Sequence, residues 1–223
     1  MRFPLSLLSL GCLCASVVSA QAVTADEVIT KARARVGTEA ALKAVKSLSF
    51  EATYIEADGK KSYFQKDYKA PCKRREYRLF GDYSTERISA YNGLEGFEKT
   101  VQPNRQQGLR SFSPEEKNLY ADLYELDMGF FAAPPRGSVT YSGEQYLKDL
   151  AKYTYTLDYK FAGGLHAKRY FDRSTYALLR QEIYREGTAE DKRLVQTDEG
   201  EIIVDGIRFP QKSTQAADGK KTV

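Results

Sequence analysis

The stretch HAKRYFDRSTYALLRQEIY, residues 166–184, holds the only histidine of this chain. His166, Asp172 and Ser174 are the residue types of a base, an orienting acid and a hydroxyl nucleophile. Their spacing argues against a catalytic grouping. His166 follows the Gly163–Gly164 turn at the start of an alternating, strand-like run. Asp172–Arg173–Ser174–Thr175 has turn chemistry, because Asp and Ser side chains bond nearby backbone amides. An extended strand rises about 3.3 Å per residue, so six residues put Asp172 roughly 20 Å from His166. His166 is therefore expected as a half-exposed strand residue, and Asp172 and Ser174 as turn formers.

Other catalytic signals are equally thin. The sequence has no Cys/His cluster with zinc spacing, no glycine-rich phosphate loop and no calcium loop. Glu115–Glu116 and Asp198–Glu199 with Glu201 read as solvated acids at a helix start and a turn. Cys72, beside Pro71, reads as an inert buried thiol. No catalytic residue, metal or cofactor is implied, and the chain is expected not to be an enzyme. The informative excess is aromatic: 16 tyrosines and 11 phenylalanines with no tryptophan. Such residues build cores and cross-strand pairs, and they also line cavities for apolar ligands.

The first twenty residues, MRFPLSLLSLGCLCASVVSA, have one basic residue, a short apolar run and a small-residue exit. That is the pattern of a secretory leader cleaved near Ala20 or Ala22. Lipid attachment at Cys12 is the competing reading, disfavoured because it leaves a very short apolar core. The rest is expected to be exported and periplasmic, with no later run of about 20 apolar residues to span a bilayer. Removing Arg2 takes 34 basic residues to 33, against 30 acidic ones, a balance of +3 too mild to imply a nucleic-acid partner.

The elements that position these residues follow from periodicity. Thr24 to Glu27 forms a capping box, and Val28, Ile29, Ala32 and Val36 recur at helical spacing up to Gly37. A second short helical stretch follows, giving helices over 25–46. From Leu48 the period becomes 2. Asp58–Gly59, Ala70–Pro71, Gly81–Asp82 and Asn92–Gly93 then separate five strands of a meander. Ser113–Pro114–Glu115–Glu116 opens one helix over 114–131, with Leu119, Leu123, Leu126 and Phe130 along one side. Pro134–Pro135 ends that segment. After it, YTYTLDYKF alternates, with Tyr153, Tyr155, Leu157, Tyr159 and Phe161 on one face. Turns at Asp205–Gly206 and Asp218–Gly219 follow, for about ten or eleven strands in total.

VKSLSFEATY, AYNGLEGFE, RYFDRSTYALLRQE and VDGIRFPQKS together resemble the LolA/LppX superfamily of outer-membrane lipoprotein-sorting proteins. Tyr170, Asp172, Thr175 and Leu178 match a recurring strand–turn–strand motif of that family, and Gly206 with Pro210 a later one. Phe97 stands where many members carry tryptophan. No basic residue is matched to the arginine that locks the lid of the lipoprotein carriers. The resemblance implies one α+β domain over 21–223; the family generally continues past the FPQKS region into one more strand, which is expected here to be either missing or contributed differently. Its core would be a single curved antiparallel sheet, an open half-barrel, with the helices on its concave face. It also implies a non-catalytic binder of lipid, acyl chains or lipidated proteins, active in lipoprotein sorting or carriage and with a possible partner in the bacterial envelope. The candidate cavity walls are Leu119, Leu123, Leu126 and Phe130 on the helix, and Tyr153, Tyr155, Leu157, Tyr159 and Phe161 on the strand. Parity alone leaves open which strand face is concave. The alternative from another class is an exported β-rich protein-interaction module without a lipid ligand.

Overall fold

Thr24 caps the first helix, α1 (Ala25–Val36), by accepting the Glu27 amide at 3.2 Å. Only half of the expected capping box forms, because the Glu27 carboxylate pairs with Lys31 instead, at 2.7 Å. Val28 and Ala32 turn inward and are buried. Gly37 breaks the helix, and Thr38 caps a second one, α2 (Glu39–Ala44). A side chain at Gly37 would meet the Gly206 carbonyl at 3.1 Å, so this break is also a close approach between distant segments. The computed structural model describes residues 22–55, 59–80, 84–129, 131, 137–189, 193–217 and 220–222. The expected leader with Cys12, the wall residue Phe130, and the turn residues Asp58, Gly81–Asp82, Pro134–Pro135 and Asp218–Gly219 lie outside the described residues.

The five expected strands of the meander are present: β1 (Ser47–Ile55), β2 (Lys61–Lys69), β3 (Lys73–Phe80), β4 (Thr85–Tyr91) and β5 (Gly96–Val101). A sixth, β6 (Gln107–Ser111), pairs with β5 and completes a sheet in sequential order. The β4–β5 turn forms because the Asn92 side chain accepts the Leu94 and Glu95 amides at 2.9 and 2.8 Å. Gly93 meanwhile takes φ +100°, a left-handed conformation that glycine tolerates.

α3 (Pro114–Met128) begins with the complete capping box that α1 lacks. Ser113 Oγ accepts the Glu116 amide, and the Glu116 carboxylate accepts the Ser113 amide. Beyond α3 the chain forms a seven-stranded sheet. Its members are β7 (Ser138–Leu147), β8 (Lys152–Lys160), β9 (Leu165–Asp172), β10 (Leu178–Arg185), β11 (Leu194–Glu199), β14 (Lys212–Ala217) and β15 (Lys220–Thr222), in the order β7-β8-β9-β10-β11-β14-β15. β12 (Ile202–Val204) and β13 (Ile207–Phe209) form a separate hairpin.

The α+β class and the open antiparallel architecture are those expected. Two details differ. The strands among the described residues number fifteen, in three hydrogen-bonded groups, where about ten or eleven in one sheet were expected. β6, β12, β13 and β15 are too short to show a readable period-2 pattern. The ladder itself is interrupted between β6 and β7, where the chain leaves the sheet to build α3. α3 touches β3 and β4 on one side and β9 on the other, so it joins the two sheets by packing where no ladder does.

Candidate functional site

The apolar side of α3 meets the second sheet. Leu126 is buried with Tyr155, Leu157, Tyr159 and Phe161 of β8 and its following turn, and with Leu165, Ala167 and Phe171 of β9. Leu119 and Leu123 pack against the same cluster but are only half-buried. Val28 and Ala32 of α1 enter it beside them. The helix-covered face of β8 is therefore the odd-numbered one, which parity left undecided. Tyr153 shares that parity but lies beyond the helices. It is 59% exposed, lies with its ring centre 4.8 Å from that of Tyr146 in a tilted contact, and borders a hollow of about 490 Å³ with Lys152, Asp172 and Ser174. The structure thus gathers seven of the nine candidate wall residues along one seam, places Tyr153 outside it, and leaves Phe130 undescribed.

Polar contacts tie α3 down along that seam. The buried Asp122 carboxylate accepts the Gly163 amide at 2.9 Å and the Leu165 amide at 3.0 Å, so mid-helix is fastened to the β8–β9 turn. Near the helix end, Arg169 Nη2 donates to the Leu126 carbonyl at 2.7 Å, and its Nε donates to Gln181 at 3.3 Å. Its guanidinium also lies 4.9 Å from the centre of the Tyr159 ring. Burial pushes the Tyr159 hydroxyl pKa up, against the opposing effect of Arg169. Sequence reading missed Arg169 because a single arginine within RYFDR looks like solvated strand surface. The available signal was alternation: Leu165, Ala167, Arg169 and Phe171 share one face. The polar strip continues outward from Arg169 through Gln181 and Gln196 to Asp198, which accepts from Ser213 at 2.6 Å. Burial raises the Asp198 pKa.

The opposite side of α3 meets a different kind of surface. Tyr68, Arg74 and Tyr91 stand in register across β2, β3 and β4, and Lys66, Glu76 and Ser89 form the next row. Arg74 is 3% exposed and lies 5.0 Å from the ring centre of Tyr120 on α3 and 5.8 Å from that of Tyr68. Its Nη2 pairs with Glu76 at 2.7 Å, and Glu76 also accepts from Arg78. The Tyr68 hydroxyl donates to Asp127 of α3. Burial opposes the Arg74 charge, but Tyr68, Glu76 and Asp127 offset it and hold the pKa above normal. Burial would likewise raise Glu76, yet Arg74, Arg78 and Lys66 hold its carboxyl below the ordinary value. α3 is therefore apolar toward one sheet and aromatic and ionic toward the other.

His166 and Asp172 sit at opposite ends of β9. The imidazole lies 5.4 Å from the Tyr184 ring, in register with Lys160 and Tyr184. Asp172 accepts the Ser174 and Thr175 amides at 2.8 and 3.0 Å and pairs with Lys152 at 3.0 Å. Both groups are engaged in the turn and strand roles that their spacing suggested.

No protein-family model matches this chain, and no curated protein matches its sequence. Solved structures do match in shape. A LolA superfamily protein from Nitrosomonas europaea superposes with a TM-score of 0.56 at 12% identity, over 90% of each chain. A DUF1329 family protein from Desulfovibrio piger gives 0.54 at 15% identity over 88% of each chain. A domain described as outer membrane lipoprotein-sorting, from Vibrio parahaemolyticus, gives 0.52 at 12% identity over 87% of each chain. At such identities the likeness speaks to fold, and it spans nearly the whole chain: this protein has the open, α3-filled antiparallel fold of LolA-like lipoprotein-sorting domains.

Proposed function

We propose that this protein is an exported, non-catalytic binder of acyl chains or lipidated proteins in the bacterial envelope, acting in lipoprotein sorting or carriage in the periplasm. The observation that carries this reading is the seam under α3. Leu126 is sealed, while Leu119 and Leu123 toward the helix start are only half-buried against the same aromatic wall. A core closed for stability alone gains by burying all three leucines, at roughly 1.5–3 kcal/mol for each full burial. A seam that admits a guest keeps its entrance unsealed and its lid fastened by a few polar contacts. Asp122, Arg169 and Tyr68 supply those contacts. The fold shared with a lipoprotein-sorting domain supports the same reading.

Binding of this kind is energetically adequate. Each buried methylene contributes about 0.8 kcal/mol, so a ten-carbon chain retains several kcal/mol after association costs. The test is to delipidate the protein and titrate it with a fluorescent fatty acid and a lipopeptide. Binding tighter than about 100 μM is expected, lost in a still-folded Leu123→Glu variant. If neither probe binds and Leu123→Glu unfolds the protein, the seam is plain core and the reading fails.

A second reading has its own observation. All five residues of the edge strand β6 are exposed, with Leu109 at 75%. An open edge of that kind can recruit a partner strand without any lipid. Purified protein that carries no extractable lipid, and binds none, would favour this interaction module over the carrier.

A further inference from the structure

The inner face of the first sheet is ionic where a purely apolar carrier would be greasy. At its centre Lys66, Arg74 and Arg78 stand near Glu76 of the same sheet and Asp127 of α3. Glu76 is shared between Arg74 and Arg78, and Asp127 is engaged by Tyr68. Lys66 has no ion pair among the described residues. Its ammonium lies 4.8 Å from the centre of the Phe64 ring, in register with Glu76 across the strand pair. Burial lowers its pKa, which marks a charge set in an unfavourable medium.

Arg74 is the sharper anomaly. Its residue is 97% buried, yet Nε and Nη1 of its guanidinium are buried with no hydrogen-bond partner. Buried donors are rarely left orphaned, since an unsatisfied one forfeits its bonds to water without return, and a charged one forfeits more. The rings of Tyr68 and Tyr120 offset part of this through their π faces but accept no N–H bond in the plane of the fork.

We propose that Arg74, with Lys66 beside it, receives the anionic end of an amphiphilic ligand, a carboxylate or a phosphate, whose acyl chain lies under α3. The inference rests on the acyl-binding reading above and adds the chemical class of the ligand. The guanidinium fork matches a two-oxygen anion, and two of its nitrogens are uncommitted. α3 carries the geometry between the two halves: Tyr120 and Tyr124 face the ionic sheet, while Leu119, Leu123 and Leu126 face the apolar one.

The experiment compares ligands of one chain length by displacement of a fluorescent acyl probe from the delipidated protein. The set is a fatty acid, a lysophosphatidic acid, the neutral fatty alcohol, and inorganic phosphate alone. Both anionic amphiphiles are expected to bind at least about tenfold more tightly than the alcohol, equivalent to about 1.4 kcal/mol. Arg74→Met and, independently, Lys66→Met should abolish that preference while leaving the affinity for the alcohol unchanged. If Arg74→Met does not fold, Lys66→Met alone decides. Equal affinity of wild type for acid and alcohol, or a preference that survives the variants, overturns the headgroup site and leaves acyl binding standing. If no acyl ligand binds at all, both fail together, even if inorganic phosphate is retained. Carboxylate over phosphate, or the reverse, identifies the headgroup.

Discussion

At the scale of single residues, two side chains decide how α3 sits. Asp122 answers two amides of the β8–β9 turn, the buried one of Leu165 and the half-buried one of Gly163. Asp122→Ala should therefore destabilise the fold by roughly 1–3 kcal/mol, chiefly the cost of orphaning the buried Leu165 donor. Asp122→Asn, which retains one acceptor, should cost about half as much, as read by the midpoint of urea unfolding. Gly163 tests the same contact from the other side. A methyl group there would lie 2.7 Å from the Asp122 carboxylate and 2.8 Å from the Asn118 carbonyl, so Gly163→Ala should be comparably harmful. Arg169 is the second. Arg169→Met keeps most of the volume but leaves the Leu126 carbonyl without its donor, at an expected cost of about 1.5–3 kcal/mol for a charge-assisted bond. Amide exchange in the last turn of α3 should rise in that variant, with the β8–β9 ladder unchanged.

At the scale of elements, the β9–β10 turn should lose stability in acid. Burial would raise the Asp172 pKa, but bonds from Ser174, Lys152 and the Ser174 and Thr175 amides outweigh it and hold the carboxyl well below its ordinary range. A native pKa below the unfolded one means that the carboxylate form stabilises the fold. That contribution is complete above about pH 4, near the unfolded value, and is lost as the pH falls through the acid range. Asp172→Asn should lower stability at neutral pH and flatten the loss on acidification, as measured by urea unfolding at stepwise lower pH. An equally steep acid loss in the variant would assign the effect to another carboxylate. The same turn shows why a motif that resembles catalytic chemistry serves structure here. Asp172 and Ser174 are two residues apart because an Asp-led turn needs that spacing, and their hydroxyl–carboxylate contact at 2.5 Å closes it.

At the scale of the whole molecule, α3 is the hinge of the proposed function. It is the element that both sheets share, and its fastenings are polar and few, so it should open below the free energy of global unfolding. Hydrogen exchange should place α3 among the first segments to exchange and β8 and β9 among the last. A saturating acyl ligand should slow α3 exchange selectively. Uniform protection of all elements by ligand would mean that binding occurs elsewhere or merely stabilises the fold globally.

Much of this was written in local chemistry. The Ser113–Glu116 capping box, the Asn92–Gly93 turn, the alternation of β8 and the amphipathic stripe of α3 each depend on neighbours within a few residues, so the sequence by itself determined them. It also determined that His166 could not reach Asp172 along one strand. What it could not settle depended on contacts between distant segments. Tyr153 has the parity of a wall residue but lies past the reach of the helices, a fact about lengths in three dimensions. Arg169 and Asp122 look like surface charges until the helix end and the turn arrive beside them, 43 residues away in each case. The ionic inner face of β2–β4 was hidden for the same reason: alternating Lys66, Arg74 and Glu76 reads as a solvated side when the other face also carries tyrosines. Only the packing of Tyr120 and Asp127 against that face decided which side was buried, because burial of a strand face is set by what covers it and not by its own period.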